Sequence, residues 1–204
     1  MKILGLTGSI GMGKSAVTAM FRRAGVPVFD ADAAVHVLQG PDGALLPAIE
    51  ARFPGTTGPA GVDRVKLGAA VFGRPDELKA LERIVHPAVA RMRARWIRSH
   101  RSKPVVVLDI PLLYETQAEG RLDGVIVVSA PAWLQRARAL RRPGMTAERL
   151  AAVLALQTPD AMKRRRADAV VTSAQGVART RRDLARAVER LQRCAPRCWK
   201  PGWH

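Results

Sequence analysis

Residues Gly8–Ser15 read GSIGMGKS and combine glycines, a lysine and a hydroxyl at a fixed spacing. The stretch matches the pattern G-x-x-x-x-G-K-[ST] at every fixed position. Glycines at these places let the backbone wrap so that successive N–H groups point at phosphate oxygens, which side chains would obstruct. Lys14 supplies a mobile cation for the β- and γ-phosphates, and the Ser15 hydroxyl can bind Mg²⁺. The chemistry that this stretch predicts is the binding of nucleotide phosphates.

The sequence on either side of this stretch supplies the context that the pattern requires. The apolar run KILGLT at 2–7 is typical of a strand, and KSAVTAMFRRAG, starting at Lys14, has helical spacing. A helix that begins at Lys14 also adds its positive N-terminal end to the anion site. The alternative is a glycine-rich turn that binds nothing, but strand and helix together favour a P-loop. We therefore interpret the chain as a P-loop NTPase or kinase.

Two carboxylates follow the next apolar run, in VFDADAA at 28–34. Small-molecule P-loop kinases place a carboxylate at the end of the second strand, where it activates the acceptor hydroxyl under an arginine-bearing lid. Asp30 is still at the strand end, where it is better suited to cap the following helix. Spacing alone leaves Asp30 and Asp32 nearly level as candidates for the base.

Other P-loop chemistries fit the sequence less well. The Asn-Lys-x-Asp motif that a regulatory GTPase uses to read guanine is absent. A motor or helicase would be longer and would use a second carboxylate, for which Asp109 in VVVLDIP is the candidate. A small-molecule kinase needs a carboxylate, a lid and a cover for its acceptor, and the chain has a candidate for each.

The elements that must position these residues follow from the apolar runs. Continuous rather than alternating apolarity predicts parallel strands covered on both faces, and strands that alternate with helices predict a doubly wound α/β sheet. We predict strands over 2–7, 26–30, 104–110, 124–130 and 167–173, and helical segments over 14–24, 75–101, 131–142 and 176–194.

Two segments exceed what simple crossovers need. The interval 33–103 contains turn-rich and helical patterns, and it predicts a helical insertion within one domain of residues 1–204. Residues 141–166 contain a Pro-Gly break, Thr146 as a candidate N-cap and a basic end, which together predict a short helical lid. We expect a flexible tail over 195–204, near Cys194 and Cys198, which are too few for a disulfide framework.

The charge is strongly positive, with 34 Lys and Arg against 17 Asp and Glu. Such a balance suits a polyanion partner or a phosphate-rich substrate. However, the arginines are spread over the whole chain, and aromatic residues are scarce, so a stacking platform for single strands is not evident. No run reaches the ~18 apolar residues of a membrane span. We expect a cytoplasmic monomer with no nucleic acid or membrane partner.

Several further motifs complete a resemblance that covers nearly the whole chain. To the P-loop they add DADAAVH at 30–36, IVHPAV at 84–89, LDIPLLYE at 108–115, the spaced Gln135, Arg138 and Arg142, then Gln157, Lys163 and ADAVV at 167–171. In this set and order the sequence resembles the dephospho-coenzyme A kinase family. The resemblance implies a P-loop NTPase three-layer fold with a five-stranded parallel sheet, a helical substrate-binding insertion and a helical lid. The implied activity is ATP-dependent phosphorylation of the ribose 3′-hydroxyl of dephospho-CoA, the final step of coenzyme A biosynthesis, with ATP as co-substrate and Mg²⁺ as metal.

The resemblance also implies roles for single residues. Asp32 is the implied base on the 3′-hydroxyl, close to a Mg²⁺ held by Ser15 and by Asp32 itself. Arg142 is the implied lid arginine that meets the transferring phosphoryl group, and the adjacent Arg141 is the alternative. Catalysis is expected from Asp32, Lys14 and Arg142; ATP binding from Gly8, Gly11, Met12, Gly13, Lys14, Ser15, Ala16 and Arg138; and acceptor binding from Asp32, His86, Pro111, Leu112, Leu113 and Glu115.

Three of these expectations have a plain structural alternative. Gln135, Arg138 and Arg142 have i, i+3, i+7 spacing, so on one helix they share a face, either toward an anion or toward solvent. His86 precedes Pro87, and at a bend it either shapes the acceptor site or has a structural hydrogen bond. Glu115 is either a ligand contact or the partner of a salt bridge. Another P-loop kinase with a different acceptor, or a nucleic-acid-binding protein that uses the P-loop as a switch, remains as an alternative for the whole chain.

Overall fold

The computed structural model describes residues 1–195, and they divide into two compact units. One unit contains Met1–Phe29 and the described residues from His100 onward, and the other contains Asp30–Ser99. Cys198 and most of the predicted flexible tail, 196–204, lie outside the described residues.

The first unit is built on a five-stranded sheet of order β2-β5-β1-β6-β7. Strand β1 pairs in parallel with β5 on one side and β6 on the other, and β6 pairs in parallel with β7. The carboxyl ends of β1, β5 and β6 therefore meet at one edge. The predicted five-stranded parallel α/β fold is confirmed. The strands are β1 (Lys2–Thr7), β2 (Val28–Asp30), β5 (Val105–Asp109), β6 (Gly124–Ser129) and β7 (Ala169–Thr172).

The core of this unit explains why the central strands are apolar throughout. Every residue of β1, β5 and β6 is buried, which is the burial of a parallel strand covered on both faces. On one face the strands pack against α1 (Lys14–Arg23) and α9 (Val177–Arg193), through side chains such as Phe21 and Leu184. The unit's remaining helices are a 3₁₀ turn (Ala118–Arg121), α6 (Ala132–Leu140), α7 (Ala147–Leu156) and α8 (Asp160–Arg166).

The second unit is helical with one small hairpin. Its core packs Leu45, Ile49, Phe53, Leu67 and Ala88 together. The elements are α2 (Ala31–Gln39), α3 (Leu46–Arg52), β3 (Thr57–Gly58), β4 (Gly61–Val62), α4 (Arg64–Val71) and α5 (Pro75–Ser99).

Two local details differ from their sequence-based expectation. Helix α5 agrees with the helical segment predicted over 75–101, but it runs through Pro87 for 25 residues in all, so His86 lies in mid-helix rather than at a bend. Proline in a helix lacks an N–H donor, and packing of the long helix against α2, α3 and α4 compensates for the lost bond. Helix α6 ends at Leu140, before the predicted Arg142, because Pro143 and Gly144 follow closely. No helix among residues 1–195 is both long and apolar enough to span a bilayer.

Candidate active site

The P-loop occupies the turn between β1 and α1, at the carboxyl edge of the sheet. Gly11 and Gly13 have φ of 77° and 87°, in the left-handed region that favours glycine. A Cβ at Gly8 would stand 2.7 Å from the carbonyl oxygen of Val128, so close packing against β6 requires glycine at position 8. The N–H groups of Ala16 and Val17 donate to the carbonyl oxygen of the N-cap Gly13, whereas those of Lys14 and Ser15 have no acceptor within the helix, which leaves them for an anion.

Lys14 and Asp109 form an ion pair at the carboxyl ends of neighbouring strands. The Asp109 side chain is buried, and its other oxygen accepts a 2.7 Å hydrogen bond from Thr18 Oγ1. Thr18 in turn lies one helical turn after Lys14 and donates to its carbonyl oxygen as well, at 3.1 Å. The buried carboxylate at the end of β5 therefore orients the Lys14 ammonium group and holds the first turn of α1 against the strand.

Helix α6 and strand β7 cover the other side of the P-loop. Arg138 donates to Ser173, with its Nη1 2.7 Å from Oγ and its Nη2 3.0 Å from the carbonyl oxygen. The Ser173 hydroxyl donates to the carbonyl oxygen of Met12 at 2.7 Å. A Cβ at Gly13 would meet Ser173 and, at 3.2 Å, the Arg138 guanidinium. Arg138 thus lies at the P-loop, where an anion site was expected, whereas Met12 is buried beneath it.

The arginines after α6 lie apart from that helix face. Arg141 is the C-cap of α6, and Arg142 follows the helix end. Both side chains are exposed. The predicted shared face therefore holds for Gln135 and Arg138 but not for Arg142. Thr146 N-caps α7, accepting from the Arg149 N–H at 3.2 Å, as expected for the start of a lid helix.

Glu115 is a salt-bridge partner in this structure. Its Oε1 lies 2.9 Å from the ammonium nitrogen of Lys163, which is completely buried, and 2.7 Å from the Thr158 backbone nitrogen, which donates to it. Burial opposes ionisation of Glu115, but the hydrogen bonds from Lys163 and Thr158 outweigh it and hold the pKa of the carboxyl below its usual value. The pair fastens α8 to the segment that follows β5.

The segment 111–114 divides between surface and core. Pro111 accepts a 3.0 Å hydrogen bond from Thr7 Oγ1 through its carbonyl oxygen, and Leu112 is 45% exposed. Leu113 is wholly buried, and a Cβ at Gly5 would stand 2.7 Å from its Cδ1, so its side chain packs in the core. Tyr114 is also buried, which raises its pKa to about 12 although the Arg166 guanidinium lies 4.5 Å from its ring centroid.

The predicted base belongs to the second unit. Asp32 is in the first turn of α2, and its side chain is exposed. Asp30 is the N-cap of the same helix and accepts from the Ala33 N–H at 3.0 Å, as expected. His36, one turn after Asp32, contacts Arg64 through Nδ1. His86, the other residue of this unit expected to bind the acceptor, is exposed on α5.

The predicted magnesium ligands suit that ion chemically. The Ser15 hydroxyl is exposed at the start of α1, and hydroxyl and carboxylate oxygens are hard donors. No cluster of three or more carboxylate, imidazole or thiol groups that could hold a metal exists in the described part of the chain. That is compatible with Mg²⁺, which binds through one or two protein groups together with substrate phosphates.

Several contacts at this site are not predicted by the sequence. The sequence assigns Asp109 a role only in a motor or helicase, although an acid that ends an apolar strand beside the P-loop strand is itself a signal. Gln135 and Gln157 belong to the motif set, but nothing local in the sequence marks their contacts with the P-loop backbone or the contact that Ser173 makes there. Residues 10 and 157 are far apart along the chain and meet only after folding.

Comparisons with known proteins agree over nearly the full length. The family model described as dephospho-CoA kinase matches residues 2–179. A dephospho-CoA kinase of Novosphingobium aromaticivorans is 60% identical over 195 residues, which cover 96% of this chain and 97% of that one. A second dephospho-CoA kinase, from Rhodospirillum rubrum, is 52% identical and covers 98% and 96% of the two chains.

Solved structures share the fold as well. The crystal structure of TT1252 from Thermus thermophilus superposes with a TM-score of 0.80 at 36% identity, covering 93% of this chain and 95% of that one. A dephospho-CoA kinase from Campylobacter jejuni, at 24% identity and a TM-score of 0.62, has a similar fold.

Proposed function

The chain belongs to the dephospho-CoA kinase family, and from that premise we propose how its residues carry out the reaction. The protein is an ATP-dependent kinase that phosphorylates dephospho-CoA, the final step in making coenzyme A. The observation that carries the proposal is the preformed P-loop, with left-handed Gly11 and Gly13 ahead of a helix that begins at Lys14.

The P-loop binds the phosphates of ATP. Backbone N–H groups of Gly11, Gly13, Lys14 and Ser15 are the donors to the β- and γ-phosphates, since the loop wraps around the helix N-terminus. The N–H groups of Met12 and Ala16 donate to the carbonyl oxygens of Ser9 and Gly13 and so brace the loop. Gly8 permits the close approach of the loop to β6, and Lys14 exchanges its contact with Asp109 for the phosphate oxygens. Arg138, at the same loop, adds a second cation, and its bonds to Ser173 fix its guanidinium in place.

Phosphoryl transfer needs a base and a cation beyond the P-loop. Asp32 accepts the proton of the ribose 3′-hydroxyl as its oxygen forms a bond to the γ-phosphorus. The bond from that phosphorus to the bridging oxygen breaks, and its electron pair leaves with ADP. Lys14 and the lid residue Arg142 stabilise the charge that develops on the transferring group and on the leaving oxygen.

Magnesium is the metal we propose, held by Ser15 and Asp32 together with the phosphates. When bound, it supplies positive charge that neutralises the β- and γ-phosphate oxygens. The exposed Ser15 hydroxyl at the start of α1 is the observation that favours this site.

Six residues are proposed to bind the acceptor. They are Asp32, His86, Pro111, Leu112, Leu113 and Glu115, with Glu115 acting through its ion pair with Lys163. Exposed apolar side chains suit the methyl and methylene groups of the pantetheine part of the acceptor, and Leu112 is one of them.

An acceptor panel tests the proposal. Purified protein is incubated with ATP, Mg²⁺ and dephospho-CoA, a nucleoside or a nucleotide, and ADP release is followed. Phosphorus NMR of the product identifies the phosphorylated hydroxyl. We expect turnover of dephospho-CoA alone, with phosphate on the ribose 3′ position; turnover of a nucleoside without turnover of dephospho-CoA would contradict the proposal.

We further propose that the protein acts as a cytoplasmic monomer without a nucleic acid partner, its net charge of +17 being spread over the chain. Weak, sequence-independent DNA or RNA binding that falls steeply with salt is the expected behaviour. Tight binding at near-physiological salt would contradict this.

A further inference from the structure

The backbone of Ile10, in the middle of the P-loop, is held by two glutamine side chains, one on each of the two peptide groups that flank its Cα. Its N–H donates to Oε1 of Gln157 at 3.1 Å, and its carbonyl oxygen accepts from Nε2 of Gln135 at 3.0 Å. A backbone N–H can only donate and a carbonyl can only accept, so the orientation of each side-chain amide follows from its partner. Gln157 presents its oxygen to the loop, and Gln135 presents its nitrogen.

Each glutamine is itself fixed by the surrounding structure. Gln135 is buried on α6, and its backbone oxygen lies 2.5 Å from where a Cβ at Gly11 would be, so helix and loop are in direct contact. Gln157 ends α7. The next residue, Thr158, is anchored to Glu115, whose partner is the buried Lys163. The clamp therefore joins the P-loop to α6 and to the junction between α7 and α8.

We propose that Gln135 and Gln157 are positioning residues that set the P-loop backbone before ATP binds. The inference rests on the P-loop being the ATP site, as proposed above. Gln135 fixes the carbonyl of the Ile10–Gly11 peptide group, and Gln157 fixes the N–H of the Ser9–Ile10 peptide group. Because the Gly11 N–H lies in the same planar peptide group as the Ile10 carbonyl, holding that carbonyl also sets the direction of the Gly11 N–H. Less conformational freedom is then lost on binding, which favours affinity for ATP.

The clamp makes Gln157 a mechanical link between the lid and the nucleotide site. Helix α7 lies within the predicted lid, and its last turn leads directly into the side chain that holds Ile10. A change in the position of the α7–α8 junction would move the acceptor of the Ile10 N–H.

The two opposite amide orientations give a matched test. Gln157→Glu and Gln135→Glu introduce the same charge next to the backbone of the same residue, Ile10. At 157 the carboxylate still accepts from the Ile10 N–H, but at 135 it places an acceptor against the Ile10 carbonyl oxygen. We expect the KM for ATP of Gln135→Glu to exceed that of Gln157→Glu by about tenfold or more, with a smaller difference in kcat. Equal KM values in two folded variants would overturn the proposal.

A second measurement does not depend on catalysis, and it does not require that the Gln135→Glu variant folds. Amide hydrogen exchange at Ile10 is followed in the unchanged chain, in Gln157→Glu and in Gln157→Met, which has a similar length but no good acceptor. We expect faster exchange in Gln157→Met only. The Ile3 amide, which donates to Asp123 at 2.8 Å, is the internal control and should stay protected in all three. Unchanged protection of the Ile10 amide in Gln157→Met would overturn the proposed clamp. If instead the unsubstituted protein does not phosphorylate dephospho-CoA, the proposed function is wrong, and the exchange result at Ile10 stands apart from it.

Discussion

Lys14 and Asp109 are paired at the carboxyl edge of the sheet, although they belong to different strand-to-helix segments. The parallel register of β1 and β5 brings them together, since Leu6 lies opposite Asp109 and the P-loop begins directly after β1. The cation that we propose for the γ-phosphate is thus already held in place by a buried carboxylate. On that proposal, ATP competes with Asp109 for Lys14.

Removal of the Lys14 charge should mainly affect catalysis. Lys14→Ala should lower kcat/KM with dephospho-CoA by about 100- to 1000-fold, the loss found when one preorganised donor to a developing negative charge is deleted. Steady-state kinetics would measure this. A melting curve should show a folded protein, because Thr18 still donates to Asp109. A loss of less than threefold in a folded variant would contradict the assigned role.

The two acids of the 28–34 stretch should differ sharply. Asp32→Asn should lower kcat by about 100- to 10,000-fold, the usual contribution of a general base, while the Kd for ATP stays similar. Asp30→Asn should change kcat little, because asparagine also caps helices and can accept from the Ala33 N–H. Single-turnover rates and ATP titrations separate the two effects. Comparable losses of turnover at matched stability would refute this division.

Asp30, Ser173 and the end of α6 illustrate what the sequence can and cannot predict. Local signals were sufficient for the P-loop, for the continuous apolar strands and for Asp30 as a cap. They were insufficient for Ser173, whose contacts with Met12 and Arg138 depend on how β7 adds to the sheet. The predicted end of α6 at 142 is two residues too late, because Arg141 and Arg142 suit a helix by type but the Pro-Gly pair directly after them stops it. The bend expected at Pro87 is absent, because packing of the long helix α5 overrides it.

Arg141 and Arg142, the two adjacent arginines in the proposed lid, can be compared directly. Arg142→Ala should slow phosphoryl transfer by about 10- to 100-fold, because one cation at the transferring group is lost, and Arg141→Ala should have a much smaller effect. Both side chains are exposed and follow the end of α6, so the two changes remove the same charge from nearly the same place. Rapid-quench measurement of the transfer step is the appropriate assay. The reverse order would move the role to Arg141.

The ion pair between Glu115 and Lys163 should support stability in a pH-dependent way. Glu115→Gln leaves a completely buried ammonium group without its counter-charge, and we expect a loss of about 3 kcal/mol in the free energy of unfolding at pH 7. Urea denaturation measures it. The double change Glu115→Gln with Lys163→Met should recover part of the loss, since no unpaired charge remains.

The sign of the pH effect follows from the lowered pKa of Glu115. A carboxyl with a lowered pKa in the folded protein contributes its full stability above the unfolded value of about 4.3 and loses it as pH falls through the folded pKa. The stability difference between the unchanged chain and Glu115→Gln should therefore be constant above about pH 5 and shrink below it. A difference that stays constant on acidification would contradict the assigned cause.

Tyr114 offers a direct spectroscopic check, because it is the only tyrosine of the 204 residues. Its ionisation, read by absorbance at a tyrosinate wavelength within seconds of a pH jump, should have a midpoint near pH 12 in the folded protein and about 10 in denaturant. Tyr114→Phe should abolish the signal, and Arg166→Gln should raise the midpoint further, since the guanidinium favours the phenolate. A tyrosine whose pKa is raised by folding contributes stability below about pH 10 that is lost as pH rises toward 12, so alkaline unfolding should be less steep in Tyr114→Phe. A midpoint near 10 in the folded chain would mean that the phenol is solvated, contrary to its burial beside Arg166.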